Sequence, residues 1–124
     1  MGHRVSETDW KRFRRLEPVA LDRFCQGALA EVARLTTDAP GGSHDRFLEV
    51  FRLIRERDRE LAAAFDGTSR AAALMQLARM RSLGVVTDEE FAGFSAAARE
   101  AVARMLEAWP AESGTPADRA GTGR

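Results

Sequence analysis

Leu83-Gly84-Val85-Val86-Thr87-Asp88-Glu89-Glu90-Phe91 ends one helix and starts another in nine residues. Gly84 has the backbone freedom to take the left-handed conformation that closes a helix. Thr87 is placed to cap the next one, accepting from the backbone of Glu90 while the Glu90 carboxylate reaches back to Thr87, with Val86 and Phe91 at the flanking staple positions. A stop that runs straight into a capping box puts helix on both sides, and helices joined so tightly run antiparallel.

Working outward, Ala73, Leu74, Leu77 and Met80 predict a helix from Ser69 to Leu83, and Phe91, Phe94, Ala98, Ala101, Val102, Met105 and Trp109 predict one that Pro110 stops. The first of these segments, 67–83, holds three arginines and no acid, and the second, 84–109, holds five acids and two arginines, so the pair attract. Further upstream, Ser43 is read as the cap of a helix with Phe47, Val50, Phe51, Ile54, Leu61 and Phe65 inward, ending at Asp66-Gly67. Arg52, Arg55, Glu56, Arg59 and Glu60 form its solvated face. Arg57 and Asp58 interrupt the apolar stripe, so one of them faces the core edge, either as a bridge to another helix or a side chain reaching solvent, or as a polar group at an interface or in a ligand pocket. Thr36 to Gly42 reverses the chain. Before it, Trp10, Phe13 and Leu16, then Leu21, Phe24, Cys25, Ala28, Leu29, Val32 and Leu35, give a first helix from Ser6, kinked or split at Pro18 by the ring's clash with the preceding turn. Period-two alternation long enough for a strand is missing from 5–109. The fold expected is all-α, an up-and-down bundle of about four helices over residues 5–109. Residues 110–124, with no large apolar side chain, are expected to form a disordered tail.

The stretch from Leu77 to Phe91 resembles the SHOCT module, a short helical hairpin often appended to the C-terminus of bacterial proteins. The likeness rests on the leucine spacing and on Gly-hydrophobic-hydrophobic-Thr-x-Glu-Glu-Phe, and spans roughly residues 74–100. It implies a hairpin used for oligomerisation or partner contact, with no catalytic residues to carry over. After Phe91 the module's basic, leucine-ended helix is replaced by Ala-Gly-Phe-Ser-Ala-Ala-Ala, and the hairpin sits inside a larger domain. The whole chain also looks like small helical proteins of high-GC bacteria, a resemblance that names no activity.

Composition narrows the partners. The 124 residues carry 19 basic and 19 acidic side chains, so no global field draws the chain to nucleic acid or an anionic membrane. Lys11 is the one lysine, the other basic residues are arginines, and Tyr is absent, a pattern of high-GC bacterial coding that weakens arginine as a sign of phosphate recognition. One cysteine excludes an internal disulfide framework, and no apolar run approaches the roughly 20 residues that span a bilayer. A cytoplasmic setting and no membrane partner are expected.

No constellation names a reaction. His3 lies near the terminus and His44 beside a loop, so neither heads a Glu-x-x-His pair of the kind that holds metal in a bundle. Cys25 falls in an apolar stripe, where it reads as a small buried hydrophobe rather than a nucleophile. Gly41-Gly42-Ser43 opens a helix but lacks Walker spacing and a strand before it. The expectation is a non-enzymatic protein-interaction module without cofactor or metal, self-associating, with Trp10, Phe13 and Trp109 as partner anchors at the two ends of the helical region. One alternative is nucleic-acid binding through Lys11, Arg12, Arg14 and Arg15, with Trp10 as a stacking ring. Another is carriage of a small apolar ligand in a pocket lined by Phe and Met.

Overall fold

Ser6 opens the first helix, its hydroxyl accepting from the Asp9 amide at 3.1 Å, with Glu7 and Asp9 in the first turn suiting the positive end of the helix dipole. In the computed structural model, which describes residues 5–38 and 40–109, that helix is α1, Glu7–Thr37. It continues through Pro18 rather than splitting there. Pro18 is exposed, so the carbonyl one turn earlier that loses its donor lies toward water instead of inside the core. The remaining helices are α2 (Ser43–Phe65), α3 (Ala73–Ser82), α4 (Asp88–Ala92) and α5 (Ala96–Glu107), and no strand occurs among the described residues. The predicted tail falls outside the described residues.

Three boundaries differ from the sequence reading. Gly42, not Ser43, caps α2, and no side chain bonds there. The stretch from Ser69 to Ala72 is a turn held by Ser69 Oγ accepting from the Ala72 amide, and α3 begins only after it. The last predicted helix is two, because Gly93 closes α4 while Ser95, its hydroxyl accepting from the Ala98 amide at 3.1 Å, restarts the chain as α5. The break lets Phe94 turn into the core. The stop and capping box stand as read: Gly84 has φ 77°, the Gly84 and Val85 amides bond back to Arg81 and Met80, and Thr87 and Glu90 cap each other.

The core draws on one end of the molecule. Phe13, Leu16, Ala20 and Phe24 of α1 meet Ala64 and Phe65 at the end of α2, Leu74, Leu77 and Met80 of α3, Val85 and Val86, and Phe94, Ala98, Ala101 and Val102. α3 packs against α1, α2 and α5, meeting α5 through apolar side chains, while Arg81 pairs with Asp88 across the turn. Three polar clasps close this body. Asp9, 3% exposed, accepts from the amide and hydroxyl of Ser95 at 3.0 and 2.6 Å, a carboxylate set against the N-terminus of α5. Arg23 forks onto Glu90 at 2.7 and 2.8 Å and reaches the Val85 carbonyl at 3.1 Å, tying α1 to the capping box. Buried Gln76 donates to the carbonyls of Ala64 and Asp66, and Thr68 in the same turn bonds Glu17.

Asp9→Ala strips a buried charged acceptor from two donors, so thermal unfolding should show a loss of about 2–3 kcal/mol, against less than about 0.5 kcal/mol for a change at exposed Glu89. Hydrogen bonding from Arg23, aided by the Thr87 amide, holds the Glu90 carboxyl down at about 2 against an ordinary 4.5. Its folded value lies below its unfolded one, so its contribution is fully present above about pH 4.5 and is lost as pH falls toward 2. The stability difference between the native chain and Glu90→Gln, followed by denaturant unfolding, should shrink steadily from pH 5 to pH 2. A constant difference would show that the clasp does not favour the charged form.

Candidate functional site

From Cys25 to Ala63 no described residue is buried, although nearly all of this stretch is helix. Here the second half of α1 and most of α2 lie side by side and antiparallel, as two cross-links fix: Phe24 against Phe65 at 6.3 Å between ring centroids, and Arg57 against Glu31. The pair projects from the core as a two-helix arm. Its seam on α2 is Arg46, Val50, Leu53, Arg57 and Glu60, half-buried residues recurring at alternate steps of four and three, the spacing that keeps one helix face on its neighbour.

Arg57 is the polar knot of that seam. Its guanidinium forks onto the Glu31 carboxylate at 2.8 and 2.9 Å and also reaches Glu56 and Glu60 at 3.1 and 3.3 Å. The Glu31 hydrogen bonds raise its pKa above the ordinary arginine value, so it stays charged throughout the working range. Of the two residues that interrupt the apolar stripe, Arg57 bridges to the other helix and Asp58 is exposed. A charge cluster at such a position fixes register more than it adds stability, because desolvation offsets much of the attraction.

The apolar side chains expected to face inward along α2 do not all do so. Phe47 is 66% exposed, Phe51 51% and Ile54 44%, and on α1 Leu29 is 64% exposed. The physical reason is that a two-helix layer offers one seam, and here Val50, Leu53 and Arg57 occupy it. At 100° per residue, Phe47, Phe51 and Ile54 centre about 90° round α2 from the seam, and Leu29 about 130° round α1 in the same rotational sense. In an antiparallel pair the same sense brings both sets to one side. They therefore form one strip, with half-buried Val32 between Leu29 and Ile54. Arg55 lies over the Phe51 ring at 5.6 Å and leaves the strip itself uncovered. The four side chains expose on the order of 400 Å² of apolar surface, the size at which a patch on a monomer is often functional.

The residues singled out from sequence fall elsewhere. Phe13, read as a partner anchor, is 1% exposed and belongs to the core. Trp10 and Trp109 are half-buried against the same core, Trp10 stacked on Phe13 at 6.1 Å with Arg14 and Arg70 over its ring, and Trp109 under Arg79 at 4.8 Å. The basic run does not converge. Lys11 stands 3.9 Å from Glu7, Arg14 is engaged with Trp10 and Glu17, Arg12 is folded against Gly93 with its Nε buried, and Arg15 is exposed. Cys25 is half-buried at the base of the arm rather than fully buried, and His44 is exposed. At the glycine turn, a Cβ on Gly41 would stand 3.3 Å from an Asp45 carboxylate oxygen, which places a negative group where an anion would have to sit.

A shallow depression of about 310 Å³ lies at the arm tip, lined by Pro40, Gly41, Asp45, Leu48, Glu49 and Arg52. Another of about 80 Å³ lies beside Asp9 and Ser95, and neither is lined by Phe or Met. No group of three or more His, Cys, Asp or Glu side chains converges among the described residues, and no described helix is long and apolar enough to cross a membrane. No protein-family model, curated protein or solved structure matches the chain.

The sequence held a signal for the strip, namely that α2 carries two adjacent apolar rows, 47/51/54 and 50/53/61, where one seam needs only one. Phe13→Ala should cost about 3–5 kcal/mol in chemical denaturation, whereas Phe51→Ala, measured on dilute protein, should stay within about 0.5 kcal/mol. Equal losses at the two sites would mean that Phe51 is packed within its own chain.

Proposed function

We propose that the chain is a non-enzymatic protein-interaction module whose contact surface is the apolar strip of the arm. The observation that carries the reading is the exposure of Phe47, Phe51, Ile54 and Leu29 on one side of a two-helix layer that the core does not cover. Exposed aromatic side chains on a rigid helix are costly to leave in water and bind with little loss of rotamer freedom, which is why contact sites are enriched in them. Their placement on a helical scaffold held in register by Arg57 and Glu31 supplies the rigidity a specific contact needs. The short connections between α1, α2 and α3 also support an up-and-down order for the longer helices. The half-buried Trp10 and Trp109 take the role of covering the core rim, each already engaged by arginine.

The reading is tested by placing a photo-crosslinking amino acid at position 51 and, as control, at exposed Glu100 on α5, then irradiating the cells that produce the protein. Position 51 should give defined protein adducts and position 100 none. Absence of any adduct from 51, or the same adducts from both sites, overturns the proposal.

A further inference from the structure

We infer that the joint between α1 and the α4–α5 link is an anion site, in which Arg12, Arg99 and Arg15 hold a phosphate group, free or carried by a small molecule. The site lies on the core body, away from the apolar strip, and does not depend on what the arm contacts.

The observation that carries it is a cation without a counter-charge. Arg12 is half-buried, its Nε is closed off from solvent with no hydrogen-bond partner, and among the described residues no carboxylate pairs with it. Arg23, Arg57 and Arg81, also half-buried, each rest on a carboxylate. A guanidinium that gives up water and gains no acceptor is placed at a cost, which a bound anion offsets. The chain also makes room for it. Gly93 has φ −74°, open to any residue, so its backbone does not call for glycine; a Cβ there would stand 2.9 Å from Arg12 Nη1 and 3.3 Å from its Cζ. What the glycine provides is a seat for the guanidinium against the link. A second guanidinium is fixed one residue further on, where Arg99 turns back so that its Nε donates to the Phe94 carbonyl at 3.0 Å. Arg15, exposed, stands on the turn of α1 after Arg12. The adjoining carboxylates are committed elsewhere, Glu90 to Arg23 and the Thr87 amide, and Asp9 to Ser95. Exposed Glu89 and Glu100 form no ion pair with Arg12 or Arg99 among the described residues. Guanidinium forks match tetrahedral oxyanions, and the two charges of a phosphate suit a cluster of arginines better than the single charge of a carboxylate. The cluster is confined to this joint in a chain of balanced charge, so it offers no track for a polyanion and takes one phosphate group.

The experiment is a titration of the full chain with inorganic phosphate and, separately, with glycerol phosphate, at constant ionic strength set with chloride, following the arginine Nε–Hε signals by NMR. The Arg12 and Arg99 signals should shift to saturation, with a dissociation constant in the millimolar range for a site open to solvent. Arg12→Gln, read at the Arg99 signal, should raise that constant about tenfold. Gly93→Ala, which pushes the guanidinium off its seat, should raise it as well. Arg59→Gln, on the exposed side of α2, should leave it unchanged. Circular dichroism checks that each variant remains helical. Glycerol phosphate binding as tightly as inorganic phosphate assigns the site to a phosphomonoester, and loss of binding on esterification assigns it to the free ion. The inference is overturned by the lack of any saturable shift, by shifts that chloride alone reproduces, or by binding that persists unchanged in both Arg12→Gln and Gly93→Ala.

Discussion

The length of α1 governs everything else in this molecule. Thirty-one residues of helix extend about 46 Å, whereas twenty already span a small domain. A core assembled from about seventy further residues cannot enclose such a rod, so one end must leave it. The N-terminal half was kept, because Phe13, Leu16, Ala20 and Phe24 recur on one face over that half, and the C-terminal half projects with Leu29 in water. Once the rod projects, the cover it has among the described residues is the segment that follows it in sequence, and α2 runs back along it to deliver Ala64 and Phe65 to the core.

Core and arm are therefore held by different physics. The core is apolar packing closed at its rim by charge-assisted clasps, in which Asp9 meets a helix N-terminus and Glu90 serves both Arg23 and a cap. The arm has a thin seam of half-buried residues around the Arg57 cluster, with little area removed from water. Burial concentrates where residues from four helices converge, and the arm with its exposed strip has the least of it. On the proposed reading of the arm as a contact surface, that division lets it present apolar groups without drawing on them to fold.

Much of the fold was legible because local signals and burial agree at one end of the chain. Gly84, Thr87 and Glu90 specify a stop and a start through backbone geometry alone, and the structure has both. Leu74, Leu77, Met80, Ala98 and Val102 follow helical periodicity into a real core. Periodicity misled at Phe47, Phe51 and Ile54, since an amphipathic row states which side of a helix is apolar but not whether anything covers it. Phe13 was misplaced as an anchor for a related reason: position near the end of a helix says nothing about its being roofed by other elements. The Asp9–Ser95 clasp, joining residues 86 apart, left no local trace at all. Pro18 shows the converse, a strong local breaker overridden where its lost hydrogen bond lies toward water.

That separation of 86 residues has a bearing on how the chain is made. Synthesis proceeds at roughly 5–20 residues per second, so Asp9 waits roughly 4–17 seconds for Ser95. Meanwhile the face of α1 that will become core, from Phe13 to Phe24, has no partner, while α2 emerges early enough to lie along the other half. The segment that forms the hairpin is thus synthesised in full before the body that anchors it exists. On a messenger carrying several ribosomes, neighbouring growing chains would display their arm segments, Phe47, Phe51 and Leu29 included, at high local concentration while their cores are still open.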